Sequence, residues 1–315
     1  CIVNPTLLID FGSTYTKLVA VDEASGALLG MAQSPTTVQT DINEGLAAAK
    51  EQLEAKTEKQ LRFSKVRACS SAAGGLKIIV SGLVADLTAK AARMAALGGG
   101  GKILRVFAGK LTRSDIEDIV SAKPDLFLLT GGTDGGEEKC ILHNAARLAE
   151  SSLSCPILVA GNRSAVDECA ETLLAAGKKV TVCPNVLPRV NEVNIRPVQD
   201  QIRKTFLSQI ICAKGLTRIE SIMDDITMPT PVSVLKALTL LSRGTETTPG
   251  LGPLMAIDLG GATTDVYSIA EGSPQSSNTF LRGLIEPNEK RSVEGDLGMR
   301  ISIHGILEAV GLERI

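Results

Sequence analysis

The chain has 315 residues, of which 44% are hydrophobic and 22% charged, so it can bury one or two sizeable cores. A formal net charge of -2 and an aromatic content of 3% give no support for a nucleic-acid partner. No apolar run approaches the roughly 20 residues that cross a bilayer, so we expect a cytoplasmic protein without a membrane partner.

The cysteine and histidine content excludes several kinds of site. The seven cysteines are scattered and none forms a CxxC pair, which favours buried, reduced thiols. His143 and His304 are the two histidines, too few for a typical zinc site or histidine-based triad. We expect His143 to be a surface or packing residue of a helix.

The first part of the chain is predicted to begin with a hairpin, whose strands at 7–11 and 16–22 flank a turn at 12–15. A turn-rich stretch follows. The next predicted elements are a helix from 42 to about 54, strands at 65–71 and 77–84, a helix from about 87 to 97, a strand at 102–108 and a helix over 112–123 capped by Thr112 or Ser114.

Strands and helices then alternate in short units from about 119 to 187, which favours a small parallel α/β subdomain. Its glycine-rich loop at 130–136 is either a second anion-binding loop, with Asp134 near a cation, or a strand-to-helix turn, and the turn is slightly favoured. Residues 195–243 are predicted to be mostly helical. In the last of these helices Thr230 is the cap, Pro231 the first helical residue and Gly244 the end.

The hairpin occurs a second time, at 254–270, after a linker. Apolar strands flank both turns, and two copies of one hairpin predict two related half-domains that face each other. The alignment pairs Asp10 with Asp258, Gly12 with Gly260, Thr16 with Thr264 and Lys17 with Asp265.

The paired turns have the residue types of a polyphosphate clamp. Glycine lets backbone N–H groups approach an anion without interference from a Cβ atom. Asp10 and Asp258, at the strand ends, can hold Mg²⁺ through its water shell, and one of them can orient an attacking water. Lys17 can offset phosphate charge. Hydroxyl groups that can donate to phosphate oxygens are those of Ser13, Thr14, Thr263 and Thr264. A single copy would more simply be a hairpin turn with an acidic edge.

The turns "DFGSTYTK" and "DLGGATTD" resemble the first and second phosphate motifs of the actin, Hsp70 and sugar-kinase ATPase superfamily. Other stretches narrow the resemblance, among them "TTVQTDINEGL", "ACSSAAGGLKI", "GLVADLTAKAARMAALG", "PILVAGNRSA", "MPTPVSVLKA" and "EGDLGMR". As a set, across essentially the whole chain, they look like the MutL/GlmL family. That family is associated with adenosylcobalamin-dependent glutamate mutase and is unrelated to the mismatch-repair MutL.

The resemblance implies an α/β fold of the actin-like ATPase type, with RNase H-like halves and an inserted parallel α/β subdomain. The expected domains are a first ATPase half at 1–118, the inserted subdomain at 119–190, a helical connector at 191–252 and the start of a second half at 253–315. Only 271–315 follow the second hairpin, so the superfamily's glycine-rich adenosine motif is not expected in this chain and the second half is expected to be incomplete.

The function implied by the resemblance is that of an ATP- and Mg²⁺-dependent reactivating factor for a B12 mutase, similar to diol dehydratase reactivase. The positions carried over are Asp10, Gly12, Ser13, Thr14 and Lys17 in the first motif, and Asp258, Gly260, Gly261, Thr263, Thr264 and Asp265 in the second. A small-molecule kinase of the same fold is a second hypothesis, although no general base beside an acceptor pocket is evident. A partner-binding module without nucleotide is a third.

Two further stretches carry weaker hypotheses. The segment 293–300 is expected to approach the nucleotide through Glu294 or Asp296, or else to cap a helix with an acidic residue. Arg282, Lys290 and Arg291 lie near acidic residues and are expected to form a solvated face.

Overall fold

The structure is a computed structural model that describes residues 5–37, 41–57, 62–71, 76–213, 225–273, 284–294 and 297–300. The strands are β1 (Pro5–Phe11), β2 (Tyr15–Asp22), β3 (Ala27–Pro35), β4 (Lys65–Ser70), β5 (Leu76–Gly82), β6 (Gly101–Ala108), β7 (Leu126–Leu129), β8 (Ile157–Val159), β9 (Val180–Val182), β10 (Asp225–Pro229), β11 (Leu254–Leu259), β12 (Thr264–Ile269) and β13 (Glu289–Glu294). The helices are α1 (Ile42–Thr57), α2 (Lys90–Gly98), α3 (Arg113–Ser121), α4 (Lys139–Glu150), α5 (Val166–Ala175), α6 (Arg196–Ala213) and α7 (Thr230–Arg243), with a π-helical turn at Ala85–Ala89.

The first sheet has the strand order β10-β4-β1-β2-β3. β1, β2 and β3 form an antiparallel meander, whereas β4 pairs with β1 and β10 pairs with β4 in parallel. The carboxyl ends of β1, β4 and β10 therefore meet at one edge of this sheet. α1 buries Ile42, Leu46, Ala49 and Leu53, which recur at helical spacing, in the same core as the apolar side chains of β1.

The second sheet is entirely parallel and has the order β6-β5-β7-β8-β9. Its central strands are apolar on both faces, as expected when helices cover both sides. It begins at Leu76, so the expected subdomain boundary at 119 falls inside this sheet. α3 has Thr112 as its N-cap, and the Thr112 hydroxyl and Asp115 carboxylate form a capping box, which decides between the two predicted caps.

The third sheet has the order β11-β12-β13 and is antiparallel. β13, like β3 and β10, was not predicted from the sequence. The interpretation of 195–243 as mostly helical was wrong at β10, which separates α6 from α7. β10 is short and lies at the end of its sheet, so its pairing with β4, and not a local pattern, defines it.

β1 and β11 are equivalent strands in the internal repeat, yet their apolar faces differ in exposure. β1 lies between two neighbours, whereas within the described residues β11 pairs with β12 alone. The exposed fractions are 1%, 3% and 1% for Leu7, Ile9 and Phe11, and 71%, 63% and 50% for Met255, Ile257 and Leu259.

Several smaller predictions can be compared with the described residues. Cys140, Cys155, Cys169 and Cys183 are buried and free, as predicted for reduced thiols. His143 is a helix residue whose Nε2 lies 3.1 Å from the Leu111 carbonyl oxygen, which fits a packing role. No helix in the described ranges has both the length and the hydropathy to cross a membrane.

Candidate functional site

The two predicted hairpins have the same register and the same turn geometry. In the first, Asp10 pairs with Lys17, and the Gly12 N–H donates to the Tyr15 carbonyl at 3.0 Å. In the second, Asp258 pairs with Asp265, and the Gly260 N–H donates to the Thr263 carbonyl at 2.9 Å. One constant offset in numbering relates every one of these positions. The internal repeat inferred from the sequence is therefore a repeat of structure.

The tips of the two hairpins meet across a cleft of about 410 Å³. Gly261 packs against Thr14 so closely that a Cβ atom on the glycine would overlap the threonine side chain. All of the predicted site residues except Thr264 line this cleft. The structure thus brings together two motifs that lie far apart in the sequence.

Thr264 points away from the cleft. Its hydroxyl donates to the Leu297 carbonyl at 2.7 Å, and the equivalent Thr16 is fully buried and bonded to Thr36 at 3.1 Å. Successive side chains of a strand alternate between faces, so a residue next to Asp265 in β12 faces the opposite side. In the structure the Thr264 hydroxyl thus bonds to the backbone and does not line the cleft, and its predicted contact with phosphate stays a prediction.

Gly12 is required by the geometry of the first turn. A Cβ atom at this position would come within 2.6 Å of the Tyr15 carbonyl oxygen. Contacts that short do not occur, so only glycine lets the chain close this turn and keep its backbone against the cleft.

Asp10 is held by three neighbouring side chains. Its Oδ1 accepts a hydrogen bond from the Thr230 hydroxyl at 2.7 Å and lies 3.6 Å from Cys69 Sγ, while Oδ2 lies 3.5 Å from Lys17 Nζ. Burial, and then the charge of Asp10, raise the pKa of Cys69 to about 11, so the sulfur is a protonated thiol. Oδ2 has the longer and weaker contact and is the oxygen left for a cation.

Thr230 lines the candidate site, and the sequence did not reveal its contact with Asp10. It was predicted to cap α7, but Pro229 is the N-cap and Thr230 is the first helical residue. The difference arises because β10 runs directly into α7, which moves the cap one residue earlier. The Thr230 hydroxyl is therefore free to bond Asp10, which is 220 positions away in the chain.

Asp258 is exposed and, within the described part of the chain, makes no hydrogen bond or ion pair. Two carboxylates in one cleft suit Mg²⁺, which binds through one or two carboxylates together with phosphate oxygens and water. No cluster of three or more His, Cys, Asp or Glu side chains that could hold a metal occurs among the described residues.

Asp265 is buried, and its carboxylate contacts protein groups at the border of the cleft. Its Oδ1 accepts from Arg291 Nε at 2.6 Å, and Thr263 Oγ1 lies 3.4 Å from Oδ2. Burial raises the pKa of Asp265, and the nearby guanidinium opposes that shift. Both carboxylate oxygens are thus occupied by protein groups, although the residue borders the cleft.

The expectation that Arg291 belongs to a solvated face was wrong. Arg291 is 8% exposed, and its Nη1 donates to the carbonyl oxygens of Leu97 at 3.3 Å and Gly101 at 3.1 Å. It therefore ties β12 to the end of α2 and the start of β6. Lys290 is half exposed and pairs with Glu286, as predicted for that face. Arg282 lies outside the described residues.

Segment 297–300 packs on the second turn and adds a cation to the cleft. The N–H groups of Met299 and Arg300 donate to the carbonyls of Gly260 and Gly261 at 2.9 and 3.0 Å. The Arg300 side chain then reaches Tyr15 of the first hairpin. Asp296 and the side chain of Glu294, which carried the sequence prediction for this segment, lie outside the described residues.

The loop at 130–136 is a strand-to-helix turn whose polar groups bond to neighbouring loops. Asp134 Oδ1 accepts from the Arg163 N–H at 3.0 Å and from Asn185 Nδ2 at 2.9 Å. The buried Asn162 accepts from the Gly135 N–H at 3.0 Å. These contacts favour the turn over an anion-binding loop.

Comparison with known proteins identifies the family to which the chain belongs. The model of the family described as MutL protein matches residues 6–315. Protein MutL from Clostridium tetanomorphum is 48% identical over 310 residues, which are 98% of this chain and 67% of that protein. A nucleotide-free structure of acetone carboxylase, from ATP-dependent acetone carboxylation, has a TM-score of 0.38 and 15% identity. That match covers 92% of this chain and 48% of the carboxylase chain.

The family model spans nearly the whole chain, and the clostridial relative matches 98% of it. The chain belongs to the MutL protein family, the one associated with glutamate mutase and not with mismatch repair.

Proposed function

We propose that this chain binds and hydrolyses ATP as an accessory, reactivating factor for an adenosylcobalamin-dependent mutase such as glutamate mutase. The observation that carries the proposal is the pair of aspartate-ended hairpins, equal in register, whose turns meet in one cleft. Two turns built from glycine and small hydroxyl residues on facing walls suit a chain of phosphates better than they suit a compact neutral metabolite.

The strand arrangement supports an actin-like ATPase fold. The first sheet joins an antiparallel three-strand meander to two parallel strands, as expected for an RNase H-like half. The third sheet repeats the meander with β11, β12 and β13. The parallel sheet lies between these two in the chain, in keeping with an insertion into the first half.

The residues have separate tasks in this proposal. Backbone N–H groups of the turns and the hydroxyls of Ser13, Thr14 and Thr263 bind phosphate oxygens. Asp10, through Oδ2, and Asp258 would hold Mg²⁺, which would supply charge neutralisation at the phosphates. One of the two carboxylates accepts a hydrogen bond from the attacking water and so orients it.

The mutase enters the proposal through the family. Membership in the MutL family, together with the resemblance to diol dehydratase reactivase, supports a B12 enzyme as partner. Nucleotide bound between the two hairpins would change the free energy of closing the cleft, and closure of domains around a ligand is a common way of releasing a partner.

The test is calorimetric titration with MgATP. Asp10→Asn and Asp258→Asn should each lower the affinity at least tenfold, whereas Asp167→Asn, an exposed residue of α5, should leave it unchanged. Absence of MgATP binding by the parent chain would overturn the nucleotide proposal.

The partner is tested separately, by the rate of ATP hydrolysis with and without glutamate mutase that carries damaged cobalamin. We expect stimulation by the mutase and none by an unrelated enzyme. Binding of ATP without any stimulation would contradict the mutase assignment and leave an ATPase whose partner is different.

A further inference from the structure

Arg300 spans the cleft from one wall to the other. Its backbone is fixed to the second turn through the bonds of residues 299 and 300 with Gly260 and Gly261. Its Nη1 donates to the Tyr15 hydroxyl at 2.9 Å, and its guanidinium carbon lies 5.6 Å from the centre of the Tyr15 ring. Tyr15 belongs to the first turn, where its carbonyl accepts from Gly12.

Arg300 differs from the other arginine of the cleft in its partner. Arg291 is buried against Asp265, which neutralises it. The guanidinium of Arg300 is exposed, and among the described residues its partner is a neutral phenol and no carboxylate. A contact of a cation with a phenol and its ring is worth less than charge-assisted hydrogen bonds to an anion. Arg300 can therefore still form charge-assisted hydrogen bonds to an anion, and it lies between the two hairpin turns that resemble phosphate motifs.

We propose that Arg300 recognises the terminal phosphate of the nucleotide and exchanges its contact with Tyr15 for phosphate oxygens when ATP binds. The inference rests on the proposed nucleotide function and adds a specificity-determining residue to it. The planar guanidinium can meet two phosphate oxygens at once, which a lysine cannot do. A contact with the terminal phosphate distinguishes ATP from ADP, because ADP lacks that group.

The exchange explains why Arg300, which bridges the two walls of the cleft, contacts a neutral phenol and, within the described part of the chain, not a carboxylate. In the absence of a stronger ligand, Tyr15 holds Arg300 across the cleft and keeps the two turns adjacent. A phosphate chain that contacts both turns replaces that bridge with its own bonds and takes the guanidinium. The walls are then joined through the nucleotide.

The first test compares MgATP and MgADP by calorimetry. Arg300→Gln should lower the MgATP affinity roughly 10- to 100-fold, the range expected for one lost charge-assisted contact, and the MgADP affinity less than threefold. Arg300→Lys should fall between the parent and Arg300→Gln for MgATP. The matched control is Arg105→Gln, because Arg105 is exposed and pairs with Asp118 away from the cleft.

Tyr15→Phe should not lower the MgATP affinity, in contrast to Arg300→Gln. Loss of the phenol hydroxyl removes the competitor for Arg300, so the MgATP affinity should stay equal or rise by a few-fold. A fall comparable with that of Arg300→Gln would overturn the exchange, since it would mean that the two side chains act together when nucleotide is bound.

Tyrosine emission gives a readout that does not depend on activity. The chain has no tryptophan and two tyrosines, Tyr15 and the fully buried Tyr267, whose hydroxyl has no partner among the described residues. In a Tyr267→Phe background the emission reports Tyr15 alone. MgATP should change it there, and should leave it unchanged when Arg300→Gln is added.

The outcomes separate the two proposals. If the parent chain binds MgATP and Arg300→Gln binds it equally well, the role of Arg300 is refuted and the nucleotide function stands. If the parent chain binds no nucleotide, both are refuted. An emission change of the same size with and without Arg300 would also refute the exchange.

Discussion

Replacement of Gly261 by alanine should force the two hairpin turns apart. A Cβ atom on Gly261 would overlap Thr14 Oγ1 and would lie 3.2 Å from both Thr14 Cβ and Thr14 Cγ2. Overpacking of this kind costs about 1–3 kcal/mol. Because the strain arises only when the turns meet, it should appear as a loss of MgATP affinity of roughly 5- to 150-fold.

Two further variants make this prediction specific. Gly260→Ala places a Cβ atom 3.1 Å from the Thr263 carbonyl within its own turn and away from Thr14, so its effect should be small. Thr14→Ser, added to Gly261→Ala, should recover most of the lost affinity. Serine keeps the hydroxyl but lacks Cγ2, and it can rotate its oxygen away from the new methyl group.

The assay is calorimetric titration of each variant with MgATP, with thermal unfolding measured in parallel. Gly261→Ala should unfold within a few degrees of the parent chain, since the strain can be relieved by opening the cleft. Equal affinity of Gly261→Ala and the parent would refute the reasoning that the turns must meet to bind nucleotide. So would a double variant that is no better than the single one while both remain folded.

Three other predictions concern the surroundings of the cleft. Thr230→Val should lower MgATP affinity about tenfold by releasing Asp10, whereas Thr239→Val on the same helix should not; equal calorimetric affinities would contradict this. Arg291→Met should lower the free energy of unfolding in urea by about 3–5 kcal/mol, because Asp265 would stay buried without its partner; a loss below 1 kcal/mol would contradict the tether. Cys69 has a pKa of about 11 against an ordinary value of 9.0, so at pH 8 it should react with iodoacetamide about a hundredfold more slowly than free cysteine, as measured by peptide mass spectrometry. The contribution of the protonated thiol to the free energy of unfolding should be lost as the pH rises from 9 to 11. Alkylation at the rate of free cysteine would contradict the raised pKa of this thiol.

The paired turns could be predicted because their signal is local. An aspartate at a strand end, a glycine next but one and a hydroxyl residue in the turn occur within a few positions of one another, and the same pattern recurs later in the chain. Repetition makes such a pattern more informative than either copy alone. The alternation of strands and helices that indicated the parallel sheet is local in the same way.

The parts of the site that were not predicted from the sequence depend on contacts between distant residues. Thr230 meets Asp10 over 220 positions, and Arg300 meets Tyr15 over 285. Nothing near Arg291 in the sequence shows that its charge is buried, because the carbonyl oxygens that receive it come from residues 190 or more positions away. Side-chain partners of this kind are created by the fold and cannot be inferred from spacing.

The same reason applies to the strands that were not predicted. β10 is defined by its pairing with β4, and β13 by its pairing with β12. Both are short, and neither has an apolar-polar alternation strong enough to distinguish it from a loop.

The unequal exposure of β1 and β11 provides an experiment on hydrophobicity within one molecule. Ile9 and Ile257 occupy the same place in two copies of one strand, each one residue before the aspartate of its hairpin, with 3% and 63% exposed surface. Local sequence and distance to the turn are thus nearly matched. What differs is the cover, because β1 has a second neighbouring strand and a packed apolar face, whereas within the described residues β11 pairs with β12 alone. Ile9→Ala and Ile257→Ala remove the same atoms, so the difference between their unfolding free energies, expected to be about 2–4 kcal/mol, measures what that cover contributes to a strand of fixed geometry.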